Sequence, residues 1–147
     1  MEYPSLNVAS HIVNICRDNT IVYNNTKIQK LMYCCYGSVL ALHDKRLCDE
    51  YPRAWQYGPV FPRVYAYINK RKDIITLCAR LNADDDVLSL IDEVVNNFGK
   101  FSASALSAWT HMKGTPWDIV VNDMEAPNSI IPDDLIKKYF IENVIIA

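Results

Sequence analysis

An apolar repeat between positions 28 and 42 constrains the fold of this chain more than any other feature of its sequence. The apolar side chains recur at spacings of three and four residues, which is the period of one face of an α-helix. They are Ile28, Leu31, Met32, Cys35, Val39 and Leu42. Thr26 and Gln29 have the spacing of a capping box, so we expect the helix to begin there. Because such a helix buries a face about four turns long, other elements must pack against it.

Other segments of the chain also show helical spacing, with helix start and stop residues at their ends. Residues 5–17 and 84–98 each place apolar side chains on one face, and the second segment begins with three aspartates at the positive end of the helix dipole. Shorter helices are predicted to begin at Pro62, Ser102, Pro116 and Pro132. The helix that begins at Ser102 is expected to end near Gly114.

The stretch between His43 and Pro62 breaks the helical period, because prolines and a glycine interrupt it. We expect an extended connector there, with room for a small β element near Trp55 or, further along the chain, near Ile75. The predicted fold class is therefore mainly α: a single-domain helical bundle over residues 1–147 with an irregular aromatic connector.

The composition indicates a chain that buries a core of its own. Of its 147 residues, 50% are apolar and 22% charged, which is enough apolar surface to offset chain ordering without disulfides or a structural metal. The formal net charge of −2 excludes the strongly basic balance that nucleic-acid binding requires. Residues 1–81 carry 11 Lys and Arg against 6 Asp and Glu, and residues 82–147 carry 4 against 11. This polarity either steers a charged partner or attracts the two halves to each other within the fold.

The start of the chain and its hydropathy predict a cytoplasmic protein without a membrane partner. The N-terminal residues lack the basic and apolar regions of a signal peptide. The longest mostly apolar run, residues 31–42, is shorter than the roughly 20 residues that span a bilayer. The five cysteines form no Cys-x-x-Cys pair, and reduced thiols fit the same compartment.

Signatures of catalysis and of cofactor binding are missing from the sequence. Its four glycines lie too far apart for a P-loop or a dinucleotide fingerprint, and its three histidines are too scattered for a metal site. We therefore predict no enzymatic activity, no cofactor and no metal. Three features carry alternatives, and for each a structural or incidental role is favoured: a nucleophilic pair of His43 and Cys48, a cation site at residues 84–86, and a site at His111.

Residues 51–67 contain six of the sixteen aromatic residues of the chain and no acidic residue. Tyrosine, tryptophan and arginine predominate at the hot spots of protein interfaces, because they bury a large area with few rotatable bonds and keep a polar tip. The segment therefore predicts a protein-binding surface. The alternative is that its large side chains only bury the connector against neighbouring helices.

Three stretches of the sequence match one known pattern in order and spacing. They are residues 26–33 (TKIQKLMY) with the following Leu40-Ala41-Leu42, residues 54–65 (AWQYGPVFPRVY), and residues 106–117, where LSAWTH precedes GTPW. Residues 131–140 are similar to the closing helix of the same pattern. The chain thereby resembles, over nearly its whole length, the Panacea domain, the antitoxin domain of SocA-like and GepA-like phage-associated proteins.

The resemblance implies a mainly helical domain that neutralises a cognate toxin protein by direct binding, without catalysis or a cofactor. In SocA-like members the domain also delivers the toxin to a protease, so the alternative is a proteolysis adaptor that binds an unfoldase-protease, with the apolar tail 144–147 as the docking peptide. Together with the aromatic segment, the resemblance suggests nine partner-binding residues. They are Arg53, Trp55, Tyr57, Gly58, Pro59, Arg63, Tyr65, His111 and Trp117.

Overall fold

The computed structural model describes residues 2–71 and 81–145 of the chain. Helices dominate these residues, which confirms the mainly α fold class. In chain order the elements are α1 (Ser5–Asp18), α2 (Asn25–His43), β1 (Arg53–Trp55), β2 (Gly58–Val60), α3 (Pro62–Arg71), α4 (Asp85–Phe98), α5 (Ala103–Thr110), α6 (Pro116–Asp118), a short π-helix (Ile119–Asp123) and α7 (Asp133–Asn143). The β element considered near Ile75 lies outside the described residues.

Helix α2 is the centre of the fold, as its apolar repeat predicted. It packs against α1, α4, α5 and α7, and all of its residues from Lys27 to Leu40 are buried. The predicted stripe is buried from Ile28 to Val39, whereas Leu42, near the end of the helix, is 49% exposed. Because neighbouring elements cover α2 on every side, its side chains are buried all round and not on one face only.

The start of α2 has a different cap from the one that its sequence suggested. The side-chain oxygen of Asn24 accepts a hydrogen bond from Lys27 N at 2.8 Å and caps the helix. The capping box predicted for Thr26 and Gln29 is therefore wrong. Gln29 Oε1 instead accepts a hydrogen bond from Phe61 N at 2.8 Å, so this buried amide ties α2 to the end of the connector.

The segment between α2 and α3 contains a β-hairpin within the connector that the sequence predicted. Strands β1 and β2 pair antiparallel around a two-residue loop, with Trp55 opposite Gly58. Residues 128–130 lie along the other edge of β1, where Ala54 N donates to Ser129 O at 2.8 Å. The small β element predicted near Trp55 is thereby confirmed.

Ion pairs join the two halves of the chain that carry opposite net charge. They connect groups at the end of α2 and just after it to acids at the starts of α4 and α7. The pairs are Lys45–Asp84 (3.8 Å) and Arg46–Asp133 (3.5 Å); His43 Nδ1 also lies 3.8 Å from Asp86, a contact that is ionic only with a protonated imidazole. Each partly exposed pair contributes about 0–1 kcal/mol. Two of the three aspartates considered as a cation site therefore have partners within the fold.

Candidate functional site

The β-hairpin is held in place by side chains from the helices beside it. Four of its backbone carbonyls each contact a polar side-chain atom from α2, from α6, or from α5 and its capping residue. These contacts are Trp117 Nε1 to Trp55 O (2.6 Å), His111 Nε2 to Gln56 O (2.9 Å), Ser107 Oγ to Tyr57 O (2.8 Å) and Lys30 Nζ to Pro59 O (3.2 Å). A hydrogen bond of this kind contributes about 1 kcal/mol net, so the four together fix the position of the hairpin.

His111 bridges α5 and the loop of the hairpin. Its Nδ1 lies 2.6 Å from Ser107 O and its Nε2 lies 2.9 Å from Gln56 O, while its ring meets Trp117 edge to face with centroids 4.2 Å apart. A neutral imidazole carries one N–H and donates to one carbonyl, whereas the imidazolium donates to both. Both ring nitrogens lie within hydrogen-bond distance of backbone carbonyls, and this placement supports the structural role favoured for His111 from the sequence.

Gly58 and Pro59 lie beneath the surface of the hairpin. Gly58 has a φ of +114°, which L-residues rarely adopt, and a Cβ on it would lie 2.7 Å from both Lys30 Cε and Thr110 Oγ1. Pro59 is buried as well. These two predicted site residues therefore provide the close approach of the hairpin to α2 and α5, and they present little surface of their own.

Three aromatic side chains form the outer side of the hairpin and of the helix that follows it. Tyr57, in the hairpin loop, is 69% exposed, and Trp55 and Tyr65 are partly buried. The rings of Trp55 and Tyr65 meet edge to face with their centroids 5.3 Å apart. We call these three residues the aromatic face. Its combination of a large apolar area with polar tips is typical of interface hot spots.

Tyr57 borders two concave regions of the surface. The first is a cavity of about 290 Å³, whose lining includes Lys30, Trp55 and Tyr65. The second is a depression of about 570 Å³ along α5, and its lining includes His111. The aromatic face is therefore surrounded by concave surface, which suits the insertion of protruding side chains from a partner.

The two arginines predicted for the site take separate positions. Arg53 is exposed at the start of β1, where its Nη1 donates to Asn128 O at 3.2 Å. Arg63, in the first turn of α3, pairs with Asp49 at 2.8 Å and donates to Ser5 Oγ at 3.2 Å. The head group of Arg63 is thus engaged with the start of α1 and not with the aromatic face.

The sequence prediction missed two residues that hold the site, Lys30 and Ser107. Lys30 is 1% exposed, and burial lowers the pKa of its ammonium to about 8. Its position inside the apolar repeat of α2 is a signal for a buried lysine. Ser107 contacts the hairpin through a single hydroxyl, and nothing in its local sequence distinguishes it from a solvated serine.

Nucleophilic chemistry at His43 and Cys48 finds no support in their contacts. Cys48 is buried with its Sγ 3.5 Å from Glu50 O, and burial raises its pKa to about 12, so the sulfur is a neutral thiol near pH 7. His43 contacts Asp86. Within residues 2–71 and 81–145 no three His, Cys, Asp or Glu side chains are placed to hold a metal ion. None of the helices described is long and apolar enough to cross a membrane.

The fold and the site define a mainly α protein that presents an aromatic hairpin framed by its own helices. The family model described as antitoxin SocA-like, Panacea domain, matches residues 28–118. The chain therefore belongs to this family, and the resemblance noted in its sequence is confirmed.

One curated relative extends this comparison. The protein named antitoxin SocA from Caulobacter vibrioides (strain NA1000 / CB15N) is 34% identical over 116 residues, which cover 69% of this chain and 62% of that relative. The match thus spans less than two thirds of the relative's own length. No solved structure matches the chain.

Proposed function

We propose that this chain is an antitoxin that neutralises a cognate toxin protein by binding it through the aromatic face. Membership of the SocA-like family and the name of the curated relative support the antitoxin role. The observation that carries the proposed surface is Tyr57, which is 69% exposed in the loop of a hairpin that four side-chain contacts immobilise. A rigid frame of this kind reduces the conformational entropy lost on binding.

A complex of one toxin with one antitoxin needs only a small part of the surface of this chain. A stable interface of standard size buries about 800 Å² on each partner. The accessible surface of this chain is 7810 Å², so about a tenth of it must be covered. The aromatic face and the two concave regions adjoin at Tyr57 and provide the centre of such an area. Binding of this type needs neither a cofactor nor a catalytic group.

Co-expression with the neighbouring genes tests the antitoxin role. Each open reading frame that flanks the gene is induced in a bacterial host, with and without this chain. We expect one neighbour to arrest growth, and we expect this chain to restore growth and to co-purify with that neighbour. If the chain relieves no growth arrest and binds none of the neighbours, the proposed role is contradicted.

Tyr57→Ala tests the proposed surface. We expect the affinity for the toxin to fall by about 2 kcal/mol, or roughly thirtyfold, if Tyr57 is a hot spot. The matched control is Tyr51→Ala, because the Tyr51 ring is 38% exposed, lies against Arg46 and borders neither concave region. Calorimetric titration of both variants measures the effect. Equal losses in the two variants, or none in Tyr57→Ala, would place the interface elsewhere.

The amount of toxin distinguishes neutralisation by masking from delivery to an unfoldase-protease. Masking leaves the level of toxin unchanged while growth recovers, whereas an adaptor lowers it. Immunoblots of tagged toxin in the host, with and without its cytoplasmic proteases, measure this difference. Restored growth that depends on loss of the toxin would favour the adaptor.

A further inference from the structure

Helix α2 carries two buried lysines, Lys27 and Lys30, that have no anionic partner within residues 2–71 and 81–145. Lys27 Nζ donates to Gly99 O at 2.7 Å, and Lys30 Nζ donates to Pro59 O at 3.2 Å. An ammonium has three N–H groups, and in the described part of the chain neither lysine forms an ion pair with a carboxylate. A buried charge without a counter-ion is costly, and the lowered pKa of Lys30, about 8, reflects that cost.

The two lysines differ in what lies beside them. Lys30 lines the 290 Å³ cavity next to the aromatic face, and Lys27 lines none of the cavities described above. Partly buried rings of Trp55 and Tyr65 form part of the wall of this cavity. Its volume is at the lower limit for a small-molecule pocket, so it suits an inserted side chain better than a larger ligand.

The lining of the cavity selects the chemistry of that side chain. Among the residues that the structure describes, Lys30 is the only charged one in the lining, and the lining contains no arginine to chelate a doubly charged group such as phosphate. Thr26, in the first turn of α2, brings the positive end of the helix dipole to the same cavity. A single negative charge on a short aliphatic stem matches these features.

Building on the proposed function, we propose that an aspartate or glutamate side chain of the toxin enters this cavity and pairs with Lys30. Because Lys30 is buried, the loss of this pair weakens binding more than the loss of an exposed ion pair. The toxin surface that faces the antitoxin therefore presents an acidic side chain. The aromatic face packs around the stem of that side chain.

The first test uses acetate as the probe and needs no toxin. In protein labelled with ¹³C-lysine, we expect the Lys30 Cε signal to shift saturably with acetate at constant ionic strength and pH 7, and chloride to have no such effect. Lys27→Met is expected to keep this response, because Lys27 lies outside the lining. At pH 10 the response of the parent protein is expected to disappear, because Lys30 is then neutral. A Lys30 signal that ignores acetate, or responds equally at pH 10, overturns the proposal.

The second test uses the toxin identified by co-expression. We expect Lys30→Met to lower its affinity at least thirtyfold and Lys27→Met to change it less than threefold, with both variants folded by circular dichroism. If Lys30→Met binds as tightly as the parent, or if both variants lose affinity equally, the acidic side chain of the toxin is not in this cavity. Failure of the proposed function is distinguishable, because then Tyr57→Ala also has no effect while acetate still binds.

Discussion

Gly58→Ala tests whether the hairpin is pressed against α2 and α5. The substitution has two separable effects. The φ of +114° at Gly58 is unfavourable for alanine, and the new Cβ would lie 2.7 Å from Lys30 Cε and from Thr110 Oγ1. Strained backbone of this kind costs about 1–3 kcal/mol, and overpacking of a buried site costs about another 1–3 kcal/mol. We therefore expect the free energy of unfolding to fall by about 4 kcal/mol.

Gly114→Ala is the matched control, because it isolates the backbone effect. Gly114 also has a positive φ, +87°, but a Cβ on it would meet no atom within 4 Å. We expect this variant to lose only the backbone part, about 2 kcal/mol. The difference between the two variants, about 2 kcal/mol, then measures the contact of the hairpin with Lys30 and Thr110.

Urea unfolding followed by tryptophan fluorescence measures both variants at pH 7. The midpoints are compared at a common slope, since a change in slope signals a change in the unfolded state or in cooperativity. If the two variants lose the same free energy of unfolding within about 0.5 kcal/mol, the hairpin moves to accommodate the new Cβ without cost. Its close approach to the helices then contributes nothing to stability. The hairpin would then not be a rigid frame.

Three further predictions concern the core around α2. Gly37→Ala is expected to lower the free energy of unfolding by about 1–2 kcal/mol, because the new Cβ would overlap the Phe140 ring, although alanine favours the helix. The double variant Gly37→Ala with Phe140→Leu should recover part of that free energy. Lys30 has a pKa of about 8 in the folded protein and an ordinary value of 10.5. Between pH 8 and pH 10.5 the unfolded chain therefore binds more protons than the folded one, and the contribution of Lys30 to stability rises with pH. At pH 7 the free energy of unfolding of Lys30→Met should therefore exceed that of the parent protein by up to about 3 kcal/mol. Urea midpoints measured at pH 9.5 should show a smaller difference. Iodoacetamide at pH 8 followed by peptide mapping should leave four buried thiols unmodified in the native protein, because burial raises the pKa of each; they are Cys16, Cys34, Cys35 and Cys48.

The helices could be predicted from the sequence because their signals are local and long. The repeat in α2 extends over about four turns, so its period is unmistakable. The caps were predicted less well. Ser102 does cap α5, with its Oγ accepting from Ala105 N at 3.0 Å, but Thr26 is not a cap, because Asn24 offers the same chemistry two residues earlier. When two candidate capping residues stand this close in the sequence, only the geometry of the preceding loop determines which of them caps the helix.

The small β element near Trp55 was predicted, but its pairing as a hairpin was not, because its strands have three residues each, too few for a period of two to be recognised. The contacts that stabilise it join residues about 30 to 60 positions apart, such as Trp117 to Trp55 and Lys30 to Pro59. Aromatic composition also does not separate the surface from the core. Phe61 is completely buried and Tyr57 is 69% exposed, although they stand four residues apart in the same segment.

The residues that carry the family resemblance divide into two groups by what they contact. One group holds the hairpin: the hairpin carbonyls contact the side chains of Trp117, His111, Ser107 and Lys30, and Gly58 permits the close approach to the helices. The Tyr57 ring takes part in none of those contacts, whereas Lys30 both holds the hairpin and lines the cavity. A change of the Tyr57 side chain therefore alters the surface offered to a partner without loosening the frame. If the aromatic face binds the toxin as proposed, changes at Tyr57 alter specificity while the frame stays the same, because the Tyr57 ring takes part in none of the four side-chain contacts that hold the hairpin.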